Sequence, residues 1–310
     1  MLHKPRRVKC GIWRVDTMAH FGVAMANGTG HPTSSAGGAG RSDEALQRAV
    51  YALNNQNPGE AERIAGDILK AEPRHAQALY VLGGALLMQG RAEEAITSLE
   101  TAARGRHDPA MDTQLAIALR QAGRPDDALA RLKRTTKRHP AFTPALHELG
   151  RLLVAMERYD EAIEVLSRGV EIAPMMPQLS IQLGYALLSR RMCVEAKVAF
   201  ARALDISPGS ADALFGIAKA HRELGENEAA AEYFRRSLMS KSDDQAAWLS
   251  LGHCLLELGQ FDAGIECFRT AGRGDPRHYG NALSSLAASA RGRFWLKPSA
   301  ATQFLRRNTS

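Results

Sequence analysis

The residues able to do chemistry in this 310-residue chain are plentiful but dispersed. His147-Glu148 begins as a zinc-protease helix begins, with an imidazole ligand followed by a carboxylate base. That motif needs a second His four residues on, where it shares a helical face with the first; Arg151 stands there instead. The ten histidines form no other ligand set at helical spacing. Cys10, Cys193, Cys254 and Cys267 make no CxxC pair and no zinc-ligand spacing, so their expected role is that of small apolar residues in a reducing compartment. There is no GxxxxGK[ST] phosphate loop and no GxSxG elbow, and the GGAG at 37–40 follows no strand pattern. Acidic pairs such as Glu93-Glu94, Asp126-Asp127 and Asp160-Glu161 fall at helix starts, where they answer the positive end of the helix dipole. The expectation is no active site, no metal and no cofactor.

Composition narrows the class further. The hydrophobic fraction of 45% supplies enough apolar surface for a large core, which excludes wholesale disorder. No uncharged apolar run approaches the roughly 18 residues that a membrane-spanning helix needs. The net +7 is carried by the ends: residues 1–41 contribute +5 and residues 291–310 another +5, so the body between them is mildly acidic. Nucleic acid is therefore disfavoured as a partner of the body. Residues 1–17 start positive, but no apolar stretch with a small-residue cleavage site follows, so no secretory signal is expected. Met18 or Met25 are alternative starts, and the cytoplasm is the expected location. The Gly/Ser-rich stretch within 1–41 reads as a disordered linker.

The elements that must carry any site repeat along the chain. The pattern Ala-x-x-x-apolar-x-x-small, closed by Pro in five of seven copies and by His107 in the second, occurs at Ala61, Ala95, Ala128, Ala162, Ala196, Ala230 and, with Gly for Ala, at Gly264, in steps of 34, 33, 34, 34, 34 and 34. Closing prolines are Pro73, Pro140, Pro174, Pro208 and Pro276. Upstream of each leading residue stands an apolar-plus-small pair, as in Leu82-Gly83, Leu183-Gly184 and Leu251-Gly252; the first copy keeps only the small member, Ala49. Turns such as GRAEEA (90–95) and GRPDDA (123–128) separate two amphipathic halves, with glycine suited to positive φ where the first helix ends.

On these residues the chain resembles the tetratricopeptide repeat family, whose units are antiparallel helix pairs. The resemblance implies an all-α, right-handed α-solenoid of about seven 34-residue helix-turn-helix repeats over 42–278, with unit boundaries at 42–75, 76–108, 109–142, 143–176, 177–210, 211–244 and 245–278. A capping helix at 279–290 would cover the last unit. The basic aromatic tail at 291–310, with Phe294, Trp295 and Phe304, would either fold back on the array or dock a partner.

The resemblance also implies a concave groove lined by the first helix of each unit. Carried onto this sequence, the groove residues are Tyr80, Gln114, Ile117, Arg120, His147, Arg151, Gln182, Tyr185, Phe215, Lys219, Arg222 and His253. Arg120, Arg151, Lys219 and Arg222 would pair with acidic groups or a terminal carboxylate of an extended peptide, and the aromatics would supply flat contact area. Family members that clamp an acidic chaperone C-terminus use Lys and Asn; the asparagines are missing here, so that function is disfavoured. The basic run Arg131, Lys133, Arg134, Lys137, Arg138 is read as a solvated outer face. The expected function is a non-catalytic scaffold for a protein or peptide partner, with no small-molecule substrate. One alternative is an accessory module serving a sulfotransferase or protein glycosyltransferase in trans. Another is an adaptor to nucleic acid or an anionic membrane through the basic ends.

Overall fold

The computed structural model describes residues 39–105 and 107–272. The expectations for the segment before Ala39, for the capping helix at 279–290 and for the tail at 291–310 lie outside these residues.

Fourteen helices and no strand occur among the described residues: α1 Ala39–Asn54, α2 Pro58–Ala71, α3 Ala76–Met88, α4 Ala92–Ala103, α5 Pro109–Gln121, α6 Pro125–Arg138, α7 Thr143–Ala155, α8 Tyr159–Ile172, α9 Pro177–Ser189, α10 Cys193–Ile206, α11 Ala211–Glu223, α12 Asn227–Ser240, α13 Gln245–Glu257 and α14 Phe261–Gly272. The first helix begins at Ala39, inside the stretch whose Gly/Ser content reads as linker. The chain divides between Leu152 and Leu153 into two compact units.

Within each unit the helices pack in two layers. In the first unit α1 lies on α2, α3 on α4 and α5 on α6; α2 and α4 also pack on the first helix of the following pair. In the second unit α8 packs on α9, and the pairs α9–α10, α11–α12 and α13–α14 stack in the same way. The odd-numbered helices also touch one another directly, α1 with α3, α3 with α5, α9 with α11 and α11 with α13.

The repeat pattern explains this packing. Ala61, Ala95, Ala128, Ala162, Ala196 and Ala230 are all fully buried, each at 0% exposure, because a methyl side chain lets neighbouring backbones close together. The large side chain four residues on fills the space between layers. It is Leu99, Leu132 or Leu166 in earlier repeats and Phe200, Phe234 or Phe268 in later ones, every one buried.

Proline sets the end of four of the second helices. Glu72, His139, Ala173 and Ser207 take extended φ values of −131°, −127°, −129° and −135°, and each precedes a proline that disfavours helical backbone before it. Lys241 adopts the same geometry at φ −145° with Ser242 in the proline's place. There the indole N–H of Trp248 donates to the Ser242 carbonyl at 2.9 Å and fixes the turn from outside.

The turns inside the pairs use two solutions. Gly90, Gly123, Gly225 and Gly259 have positive φ, as the sequence pattern requires. Gln56, Glu157 and Arg191 hold φ of 56°, 59° and 59° at the corresponding turns, where an L side chain is strained. Replacing Arg191 by glycine is therefore expected to raise stability by about 1 kcal/mol, read as a higher denaturation midpoint.

Candidate partner-binding faces

In the first unit α3, α5 and α7 carry the groove residues implied by the resemblance. Two of them are out of reach. Tyr80 is 7% exposed and Gln114 4% exposed. Burial, followed by the nearby Asp108 charge, pushes the Tyr80 hydroxyl well above its usual range. Neither amide atom of Gln114 has a hydrogen-bond partner. These two side chains belong to the packed interior under the face. Ile117 and Arg120, one helical turn apart on α5, remain half-buried at the surface.

On α7 the cation expected to meet a ligand already has a partner. Arg151 Nη1 donates to Glu148 Oε1 at 3.2 Å, and the Glu148 carboxylate is buried. Sequence reading treated His147 and Arg151 as open contacts; the intervening Glu148 turns them into one local network, with His147 Nδ1 3.7 Å from the same oxygen. Burial is the largest influence on His147 and lowers its pKa, against the pull of Glu148 and with the help of Arg151. The imidazole is thus neutral at pH 7, and its contact with Glu148 is dipolar rather than an ion pair.

This has a pH consequence. The unfolded chain binds a proton at His147 more readily than the folded chain, so stability falls as pH drops below the ordinary histidine value near 6.5. Substituting His147→Gln is expected to flatten the acid slope of the denaturation midpoint between about pH 6.5 and 5. An unchanged slope would show that His147 takes no part.

The second unit offers a more open face. Gln182 and Tyr185 on α9, Phe215, Lys219 and Arg222 on α11, and His253 on α13 are all half-buried. Phe215, Lys219 and Arg222 stand at i, i+4 and i+7, so they share one stripe of α11. The rings are seated from below. Tyr185 meets Phe200 edge-on at 5.1 Å, Phe215 meets Phe234 at 5.5 Å and His253 meets Phe268 at 5.3 Å.

The Tyr185 hydroxyl donates to the Asp212 carbonyl at 3.0 Å and ties α9 to α11. Burial, then Asp212 and Asp244, push that hydroxyl well above its usual range, so it stays protonated as a donor. Burial and the neighbouring Arg222 charge lower the His253 pKa. Among the described residues, the one carboxylate that Arg222 meets is that of the adjacent Glu223, at 3.5 Å. Lys219 has no carboxylate partner among the described residues.

Cys254 and Cys267 are buried in the pair α13–α14, and burial pushes both thiols up to about 11, which leaves them unreactive at neutral pH. Among the described residues no three His, Cys, Asp or Glu side chains converge as metal ligands, and no helix is long and apolar enough to cross a membrane.

Comparison with known proteins now decides the family. Family models described as tetratricopeptide repeat match residues 46–110, 119–180, 181–247 and 217–279, well over half the chain. The chain belongs to the tetratricopeptide repeat family. A tetratricopeptide repeat protein from Parabacteroides merdae superposes with a TM-score of 0.60 at 16% identity, covering 79% of this chain and 98% of that one. The C-terminal part of a tetratricopeptide repeat-containing protein from Cytophaga hutchinsonii gives 0.56 at 13% identity, covering 78% and 99%. These likenesses show the fold, an all-α repeat solenoid.

Among curated proteins, the small glutamine-rich tetratricopeptide repeat-containing protein 2 of Mycosarcoma maydis is 30% identical over 117 residues, 38% of this chain and 31% of that protein. The beta-barrel assembly-enhancing protease of Escherichia coli K12 is 29% identical over 131 residues, 42% of this chain and 27% of the protease. The tetratricopeptide chain thus covers less than a third of either relative.

Proposed function

We propose that this tetratricopeptide array is a non-catalytic scaffold that holds a peptide segment of a protein partner against its first-helix faces. The observation that carries the reading is the α11 stripe. Phe215 is partly exposed, Lys219 one helical turn on has no carboxylate partner among the described residues, and Arg222 completes the row. An apolar side chain followed by acidic groups along an extended segment matches that order. The family membership supports the same role, since stacked helix pairs present extended binding surfaces. A cytoplasmic location belongs to this reading and is supported by the free thiols Cys193, Cys254 and Cys267.

The test is affinity capture from an extract of the source organism with the intact chain and with the double variant Lys219→Glu, Arg222→Glu. Both residues are partly exposed and neither is buried in the core, so the variant should keep its helical circular dichroism. A partner recovered by the parent should bind the variant at least about tenfold more weakly. Equal binding would place the contact elsewhere.

A further inference from the structure

The densest positive charge of the body is exposed on α6, apart from Arg131. Part of it is gathered into a cavity of about 370 Å³ in the first unit, between the end of α4, the loop that follows, the start of α5 and the length of α6. Arg131, on α6, is turned inward and paired with the buried carboxylate of Asp112. That pair is spent on itself. Arg104, Arg134 and Arg138 remain on the wall, against one exposed acid, Glu100. Arg104 and Arg134 have no carboxylate partner among the described residues.

The last polar member of the wall is a donor as well. Arg138 Nη1 lies 3.1 Å from His107 Nδ1. A guanidinium can only donate, so Nδ1 accepts and the imidazole hydrogen sits on Nε2. Among the described residues the lining therefore brings together three guanidinium groups and a neutral imidazole, with Glu100 as its one carboxylate outside the Arg131–Asp112 pair.

We propose that this cavity binds a phosphate monoester, presented by a phosphorylated serine or threonine in a segment of a partner protein. Planar guanidinium groups match a phosphoryl group bidentately, and a dianion satisfies more than one of them at once. The acids at the helix starts favour a single phosphate over a run of them. Glu93 and Glu94 occupy the start of α4, and Asp126 and Asp127 the start of α6, so a strand of phosphates laid along either helix would meet acids. A membrane surface would need a broad basic or apolar plane, whereas these arginines converge on one open hollow of about 370 Å³. The site uses second-helix residues and stands or falls apart from the α11 stripe.

The experiment titrates the intact chain with the tripeptide acetyl-Gly-phosphoSer-Gly-amide at low salt, following backbone amides by TROSY spectroscopy. Saturable shifts confined to residues 104–115 and 131–138, absent with the unphosphorylated tripeptide, are expected. The variant Arg134→Gln, Arg138→Gln should weaken binding about tenfold; both side chains are exposed, so the fold is spared. Arg104→Gln, in the loop and on no helix, provides a second variant expected to weaken binding in the same direction. The proposal is overturned if these amides do not move, or if the variants bind as the parent does. Equal binding of acetyl-Gly-Glu-Gly-amide would overturn the phosphate assignment. Tighter binding of a short oligonucleotide or of phosphatidylserine vesicles through the same arginines would overturn the peptide assignment.

Discussion

Replacing Phe200 by alanine is expected to destabilise the second unit by about 3–5 kcal/mol, the largest effect of any single truncation proposed for this chain. The ring is fully buried at 0% exposure. It is held within its own repeat by α9, where Tyr185 packs on its edge, and it also reaches the next repeat at α11. Its removal would open a cavity between layers that alanine side chains cannot collapse to fill. Because repeats are stabilised through their neighbours, the loss falls on the α9–α10–α11 interface as well as on one pair. Denaturation followed by far-UV circular dichroism should show a lower midpoint. A cost below about 1 kcal/mol would mean that the interface is not packed as described.

The second large effect concerns the other side of the same contact. A methyl group built on Gly216 would stand 2.2 Å from Phe200 Cε1, and one on Gly184 2.6 Å from Phe200 Cζ. Two helices thus approach one ring because neither carries a Cβ there. Gly216→Ala is expected to cost about 1–3 kcal/mol, although alanine is the better helix former. Leu132 and Leu166 occupy the place of Phe200 in earlier repeats. In a Phe200→Leu background, therefore, the cost of Gly216→Ala should shrink to less than about half, a coupling that a double-mutant cycle measures. Gly66 supplies the control. Nothing lies within 4 Å of a methyl group there, so Gly66→Ala in α2 should be neutral or stabilising by about 1 kcal/mol.

These two substitutions show why so much of the fold can be read from the chain. Close packing of helices demands a small residue at fixed places, and a 34-residue recurrence of Ala, Gly and Pro records that demand directly. The helix ends before Pro73, Pro140, Pro174 and Pro208 follow from the same logic. What the pattern conceals are places where a different residue does the same work. Gln56, Glu157 and Arg191 hold left-handed turns that glycine marks elsewhere, because the neighbouring helices fix the turn whatever side chain sits in it. Trp248 replaces a proline through a hydrogen bond that no local spacing announces.

The candidate face is legible as a row of first helices but not residue by residue. Register places Tyr80 and Gln114 on first helices, but whether a side chain reaches the surface depends on how closely the flanking helices approach, and there both are covered. Arg151 reads as an open cation until the buried Glu148 on the same helix claims it. The basic run on α6 reads as a solvated face, and Lys133, Arg134, Lys137 and Arg138 are indeed exposed. What the spacing does not show is that Arg131 turns in to Asp112, and that Arg134 and Arg138 border an open hollow completed by Arg104 and His107, which lie 24 residues or more earlier in the chain. Such a cavity has no sequence signature, because its walls are joined only by folding.

The most direct test of the scaffold account is site-specific photocrosslinking with the intact chain in extract of the source organism. One photoreactive residue replaces Gln182, half-buried on the first helix α9, and another replaces Val198, 63% exposed on the second helix α10. The account predicts a discrete crosslinked protein from position 182 that is lost in the Lys219→Glu, Arg222→Glu variant, and none from position 198. A partner captured from 198 and not from 182 would contradict it, placing the working surface on the second helices.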